Sequence, residues 1–190
     1  MSRLVWISMG VVFVLTTTTS YAQERAPLGV GHISLKLDYL VFTSDHFDKG
    51  GNQDDGLYIG LEGYGEISPN IYLGGEIGQG VNVDVLGEDI TFVPIEVNAK
   101  YAFEVAPGLV LDVGAGIATV YVEIRDEGPF GSGNTEDDWL VGGQFFGDLT
   151  YKINWFSFGA NLKYQLTQDF ADEDFNINNL RVGAQIGVAF

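Results

Sequence analysis

The sequence predicts an all-β fold: an eight-stranded antiparallel up-and-down transmembrane β-barrel. Three observations carry this. The chain after residue 22 divides into eight segments that alternate with period two. The connections between them alternate, short then long. One alternating phase holds more large apolar side chains than an eight-stranded barrel can enclose.

The first 22 residues stand outside this pattern. Arg3 supplies a positive charge, residues 4–15 are an apolar stretch, and Ser20-Tyr21-Ala22 reads small-x-small before Gln23. This predicts a secretory signal peptide over 1–22, too short to span a bilayer as a helix, followed by a barrel domain over 23–190. The chain has no cysteine, which excludes a lipid-anchored cysteine at the cleavage point, disulfides and thiolate metal sites.

The eight segments fall at 32–43, 56–67, 71–84, 91–104, 109–123, 139–152, 155–167 and 178–190. Each reaches the roughly 9–11 residues that a tilted strand needs to cross a bilayer. The first shows Ile33, Leu35, Leu37, Tyr39 and Val41 on one face; the second, Leu57, Ile59 and Leu61; the third, Leu73, Ile77, Val81 and Val83. The fourth and fifth carry Val93, Ile95, Val97, Tyr101 and Phe103, then Leu109, Leu111, Val113, Ile117 and Tyr121. Trp139, Val141, Phe145, Leu149 and Tyr151 mark the sixth; Phe156, Phe158, Leu162 and Tyr164 the seventh. The last alternates from Leu180 through Val182, Ala184, Ile186 and Val188 to a terminal Phe190.

Between them, Ser68-Pro69-Asn70, Ala106-Pro107-Gly108 and Ile153-Asn154 read as tight turns. The stretches 44–55, 85–90, 124–138 and 168–177 are mostly longer and rich in Asp, Glu, Gly and Asn. Short turns at one end and longer loops at the other are the layout of a membrane barrel.

Volume decides which phase faces in. The large apolar phase must face lipid, because only lipid accepts such a surface. The opposite phase carries Gly60, Gly74, Gly78, Gly80, Gly114, Gly116, Gly142, Gly183 and Gly187. Glycine weakens a strand, but in a crowded lumen it makes room for neighbours such as Tyr58, Tyr64 and Tyr72. Outward aromatics cluster near the turns (Tyr101, Phe103, Tyr151, Phe156, Phe190) and near the loops (Tyr121, Trp139, Tyr164). Two such girdles suit two headgroup levels.

On these residues the chain resembles the OmpA/OmpX-like eight-stranded outer-membrane barrels, within the broad family of porin-like β-barrel domains. The resemblance rests on the leader to Ala22, the eight segments and the alternating ending, and covers nearly all of 23–190. It implies export by the general secretory route and residence in the bacterial outer membrane, among its lipids and lipopolysaccharide. It also implies that Val182, Ile186, Val188 and Phe190 form the signal read by the outer-membrane assembly machinery. The chain stops at the barrel, so the resemblance does not extend to a peptidoglycan-binding domain. A monomer is expected.

The lumen phase holds acids at Asp38, Glu62, Glu66, Glu76, Asp84, Glu96, Glu104, Asp112 and Asp148, and bases at Lys36, Lys100, Lys152, Lys163 and Arg181. Counted from the turns, Lys36, Glu62, Glu76, Lys100 and Asp148 lie at similar heights. A belt of ion pairs is expected from Lys36, Asp38, Glu62, Glu76, Glu96, Lys100, Asp112, Asp148 and Arg181, because a buried charge is costly unless paired. Such a belt fills and rigidifies the lumen; the alternative is a narrow, cation-preferring path.

The whole chain has 26 acidic and 9 basic residues, a net charge of −17, which argues against nucleic acid as a partner. The acidic loops lack the spacing of an EF-hand, so solvated surface is expected rather than a metal site. No cofactor is expected. A lipid-modifying barrel enzyme would need a histidine placed with a serine and an acid. The two histidines are His32, at the start of the first segment, and His46, in Ser44-Asp45-His46. Adjacency in a loop does not make a triad. The sequence therefore favours a non-enzymatic envelope protein.

Overall fold

A computed structural model describes residues 26–43, 55–85, 88–125, 135–169 and 176–190. The expected signal peptide, Ser44-Asp45-His46 and most of the acidic loop residues lie outside these.

Among the described residues there are eight strands: β1 (Gly31–Phe42), β2 (Asp55–Ser68), β3 (Ile71–Val85), β4 (Glu88–Ala106), β5 (Leu109–Arg125), β6 (Thr135–Ile153), β7 (Phe156–Thr167) and β8 (Asn179–Ala189). Each pairs antiparallel with its sequence neighbours, and β1 pairs with β8 to close the barrel. The closing ladder runs from His32 opposite Ala189 to Phe42 opposite Asn179. It is continued by Phe190, whose backbone exchanges hydrogen bonds of 2.9 Å in both directions with Gly31. Closure joins the last strand to the first, so the sheet has no terminal edge strand.

The tight turns take the backbone their residues allow. Asn70, Gly108 and Asn154 have φ of 66°, 75° and 56°. Asn and Gly tolerate this left-handed conformation best. Glu66 and Glu104, read from sequence as lumen acids, instead serve these turns at the rim. Their carboxylates accept the backbone N–H of Asn70 (3.0 Å) and of Gly108 (2.6 Å).

The faces divide as volume requires. Leu35, Ile59, Leu61, Ile117, Phe145, Val182 and Phe190 are all exposed, Ile117 and Phe145 by more than 60%. The glycines face inward against large side chains. A Cβ at Gly60 or Gly78 would strike the Tyr58 ring, at Gly74 the Tyr64 ring, and at Gly114 the Phe146 ring.

Three strands are longer than their alternation suggests. β4 and β6 have 19 residues each and β5 has 17, against 12, 12 and 11 in β1, β7 and β8. Their ladders continue from Asp89 opposite Arg125 and on to Thr135. Sequence reading assigned these charged stretches to loops; backbone pairing continues there without an apolar phase to announce it.

Candidate functional site in the barrel lumen

Period-two geometry turns every second residue of each strand inward. In the middle of the lumen these side chains form one charged network, and every strand contributes to it. β1 supplies Lys36, β2 Glu62, β3 Glu76, β4 Glu96 and Lys100, β5 Asp112, β6 Asp148, β7 Lys163 and β8 Arg181. All nine are almost entirely buried.

Two linked groups make up the network. Toward the loop end, Arg181 lies 3.3 Å from Glu76 and pairs with Glu96, while Lys163 lies 2.6 Å from Glu76 and also pairs with Glu96. The Arg181 guanidinium sits 4.4 Å over the Tyr58 ring, and the Tyr58 hydroxyl donates to Glu76 at 2.7 Å. Toward the turn end, Lys100 lies 3.5 Å from Asp112, 3.7 Å from Asp148 and 4.0 Å over the Tyr64 ring. Lys36 joins the two groups, at 2.9 Å from Glu62, 3.5 Å from Glu76 and 3.6 Å from Asp148. Amides fill in around them: Asn98 donates to Glu96 (3.0 Å) and Gln144 donates to Asn98 (2.6 Å).

Two residues depart from the expected set. Asp38 is not brought into the ion pairs; its Oδ1 accepts from the Asn161 amide at 2.9 Å, and among the described residues no cation lies within 4 Å. Lys163, left out of the expected belt, is central to it. Its ammonium meets both Glu76 and Glu96, at the end of a stem that carries the charge well away from its own Cα.

The lumen is not polar throughout. At the loop end Leu40, Phe42, Phe92, Val120, Val122, Leu140 and Ile177 form a buried apolar cluster, with Phe42 and Phe92 edge-to-face at 5.8 Å. At the turn end Leu28 packs with Tyr64, Tyr72, Ala102, Val110 and Phe146. Leu28 belongs to a short segment before β1 that folds back across the mouth. The Tyr72 hydroxyl donates to Gly29 O (3.0 Å) and accepts from Leu28 N–H (3.2 Å), and Lys152 donates to Pro27 O at 2.5 Å. The turn-end cap was not visible from alternation, because residues 26–30 precede the first segment; the loop-end cluster, Ile177 apart, occupies inward positions within the segments.

One arrangement mimics catalytic chemistry. Ser157 Oγ lies 3.0 Å from His32 Nε2, and His32 Nδ1 lies 3.9 Å from Glu62 Oε1. Hydroxyl, imidazole and carboxylate thus stand in line. All three are buried, however, and Glu62 already holds Lys36 and accepts from Ser34 at 2.7 Å. A 3.9 Å separation is too long for a hydrogen bond that would orient the imidazole. Among the described residues no group of three or more His, Asp or Glu is arranged to hold a metal ion.

No protein-family model matches the sequence, and no curated protein does. Solved structures do match. The chain is similar to neisserial surface protein A, with a TM-score of 0.70 at 13% identity, over 85% of this chain and 98% of that one. It is also similar to the N-terminal β-barrel domain of Pseudomonas aeruginosa OprF (TM-score 0.54, 15% identity, 85% and 98% covered). A third match is Ail, the attachment invasion locus protein of Yersinia pestis, crystallised with the heparin analogue sucrose octasulfate (0.53, 17%, 84% and 97%). Closed topology, lipid-facing apolar wall and these likenesses agree: the chain has the fold of the eight-stranded outer-membrane β-barrels.

Proposed function

We propose that the protein is a non-enzymatic, non-conducting barrel of the bacterial outer membrane, which braces the envelope and presents acidic loops at the surface. The observation that carries this reading is the contribution of all eight strands to one buried charged network. Charges drawn from every strand tie the wall to itself across the lumen, and apolar caps lie above and below them. Desolvated ions stay in place only while paired, so the network resists the rearrangement that an open path would need. Liposome swelling in isotonic arabinose tests it. Vesicles carrying the folded protein swell no faster than empty ones; swelling at porin-like rates refutes the reading.

A second reading is a narrow cation path, favoured by one observation. Six buried carboxylates (Asp38, Glu62, Glu76, Glu96, Asp112, Asp148) face four buried cations (Lys36, Lys100, Lys163, Arg181). Any ion leak through such a lumen favours cations.

The enzymatic reading is the weaker one, because Ser157 is buried beneath the turn-end cap and its histidine lacks an orienting acid. A fluorophosphonate probe leaves the folded protein unlabelled; labelling abolished by Ser157→Ala would reverse this. Contact with outer-membrane lipids follows from the wall. Recognition of Val182, Ile186, Val188 and Phe190 by the assembly machinery, and a monomeric state, belong to the same proposal.

A further inference from the structure

The longest interruption of the barrel wall lies between β3 and β4; the β2–β3 and β4–β5 ladders carry only short register shifts near their ends. The β3–β4 ladder runs from Ile71 opposite Tyr101 to Ile77 opposite Ile95, lapses, and resumes at Asp84 opposite Asp89 with one extra residue on β3. Pro94, which has no N–H to give, lies in the lapse on β4. On the lipid side this region opens as a hollow of about 440 Å³, lined by Leu35, Ile59, Leu61, Ile77, Val81 and Val93. One polar side chain also lines it, Gln79. Gln79 lies in the outward phase and is exposed; its backbone pairs opposite Ile59, but its side-chain amide has no hydrogen-bond partner among the described residues.

An unpartnered amide on a lipid-facing wall is costly, because hydrocarbon offers nothing to bond it. Its height narrows the partner. Ile71 pairs with the girdle residue Tyr101. Gln79 stands eight residues further along β3, about 20 Å higher at ~3.3 Å per residue and ~40° tilt. In an apolar band about 25 Å tall, that is just below the outer headgroups. A side-chain amide offers both a donor and an acceptor. An ester carbonyl satisfies only the donor; a hydroxyl or an amide on the lipid satisfies both.

We propose that the hollow is a binding site for an outer-leaflet lipid whose acyl chain carries a hydroxyl or amide a few carbons below its head group, with the chain along the apolar lining and that polar group on Gln79. The hollow is continuous with the wall that already faces lipid, so its occupant comes from the bilayer. The proposal rests on the outer-membrane fold and is independent of whether the lumen conducts.

Native mass spectrometry of the folded barrel in detergent tests it, with lipid A (3-hydroxyacyl chains) and a phosphatidylethanolamine of matching chain length as probes. Lipid A binds more tightly than phosphatidylethanolamine. Gln79→Leu weakens lipid A about fivefold, as expected for one ordinary hydrogen bond, and leaves phosphatidylethanolamine unchanged. Val81→Trp, which fills the hollow, removes the lipid A adduct, whereas Ile117→Trp on another part of the wall does not. Heat-modifiable migration on gels verifies that each variant is folded. Equal binding of the two lipids, or lipid A binding indifferent to both Gln79→Leu and Val81→Trp, overturns the proposal.

Discussion

Arg181 shows how the lumen is held at the scale of one side chain. It is fully buried, holds Glu76 and Glu96, and rests against the face of Tyr58. Its removal leaves two desolvated carboxylates with Lys163 and Lys36 to share. Arg181→Met is expected to cost about 3–5 kcal/mol, the range for breaking a buried pair from one side. Asp137→Asn, on the exposed part of β6, stays within about 0.5 kcal/mol. Urea titration of the protein refolded into vesicles separates the two. The glycines give a second contrast. A Cβ at Gly183 would meet the Leu37 and Asp38 backbone, whereas at Gly63 the nearest atom is 4.0 Å away. Gly183→Ala is therefore strongly destabilising and Gly63→Ala is neutral, measured by the same titration.

Among the elements, the strands were the most legible in the sequence. Alternation marks Leu35, Leu37 and Tyr39 as outward and Lys36 and Asp38 as inward, and that division holds along β1. It fails where the physics is not periodic. Glu88, Asp89, Arg125 and Thr135 show no apolar phase, yet they pair, because a ladder is a property of two strands. Of the charged network, the inward phase of its members could be read from one strand at a time. Which acid meets which base could not, because barrel stagger and side-chain reach set that, as Lys163 and Asp38 illustrate. His32 and Ser157 are 125 residues apart, so no local pattern joins them. The segment before β1 makes its own prediction. Leu28→Ala removes an apolar side chain from the turn-end cluster and costs about 2–4 kcal/mol. Arabinose permeability stays unchanged, because the charged network above it is intact.

For the whole molecule, charge and lipid exposure set the behaviour. The acidic excess of the chain opposes binding of polyanions. Ail was crystallised with a heparin analogue; this protein is expected to pass through immobilised heparin at physiological salt, and retention there would mean that its surface charge is not what its loops suggest. The apolar wall keeps it in the membrane fraction through high-salt and carbonate washes. The lumen decides the rest. On the proposed reading, polar side chains packed together from all eight strands close the centre of the barrel. Single-channel recording in planar bilayers measures this most directly. The account predicts a flat baseline at 1 M KCl and moderate voltage, with any residual current cation-selective; stable, anion-selective or porin-sized steps from the purified, folded protein would contradict it.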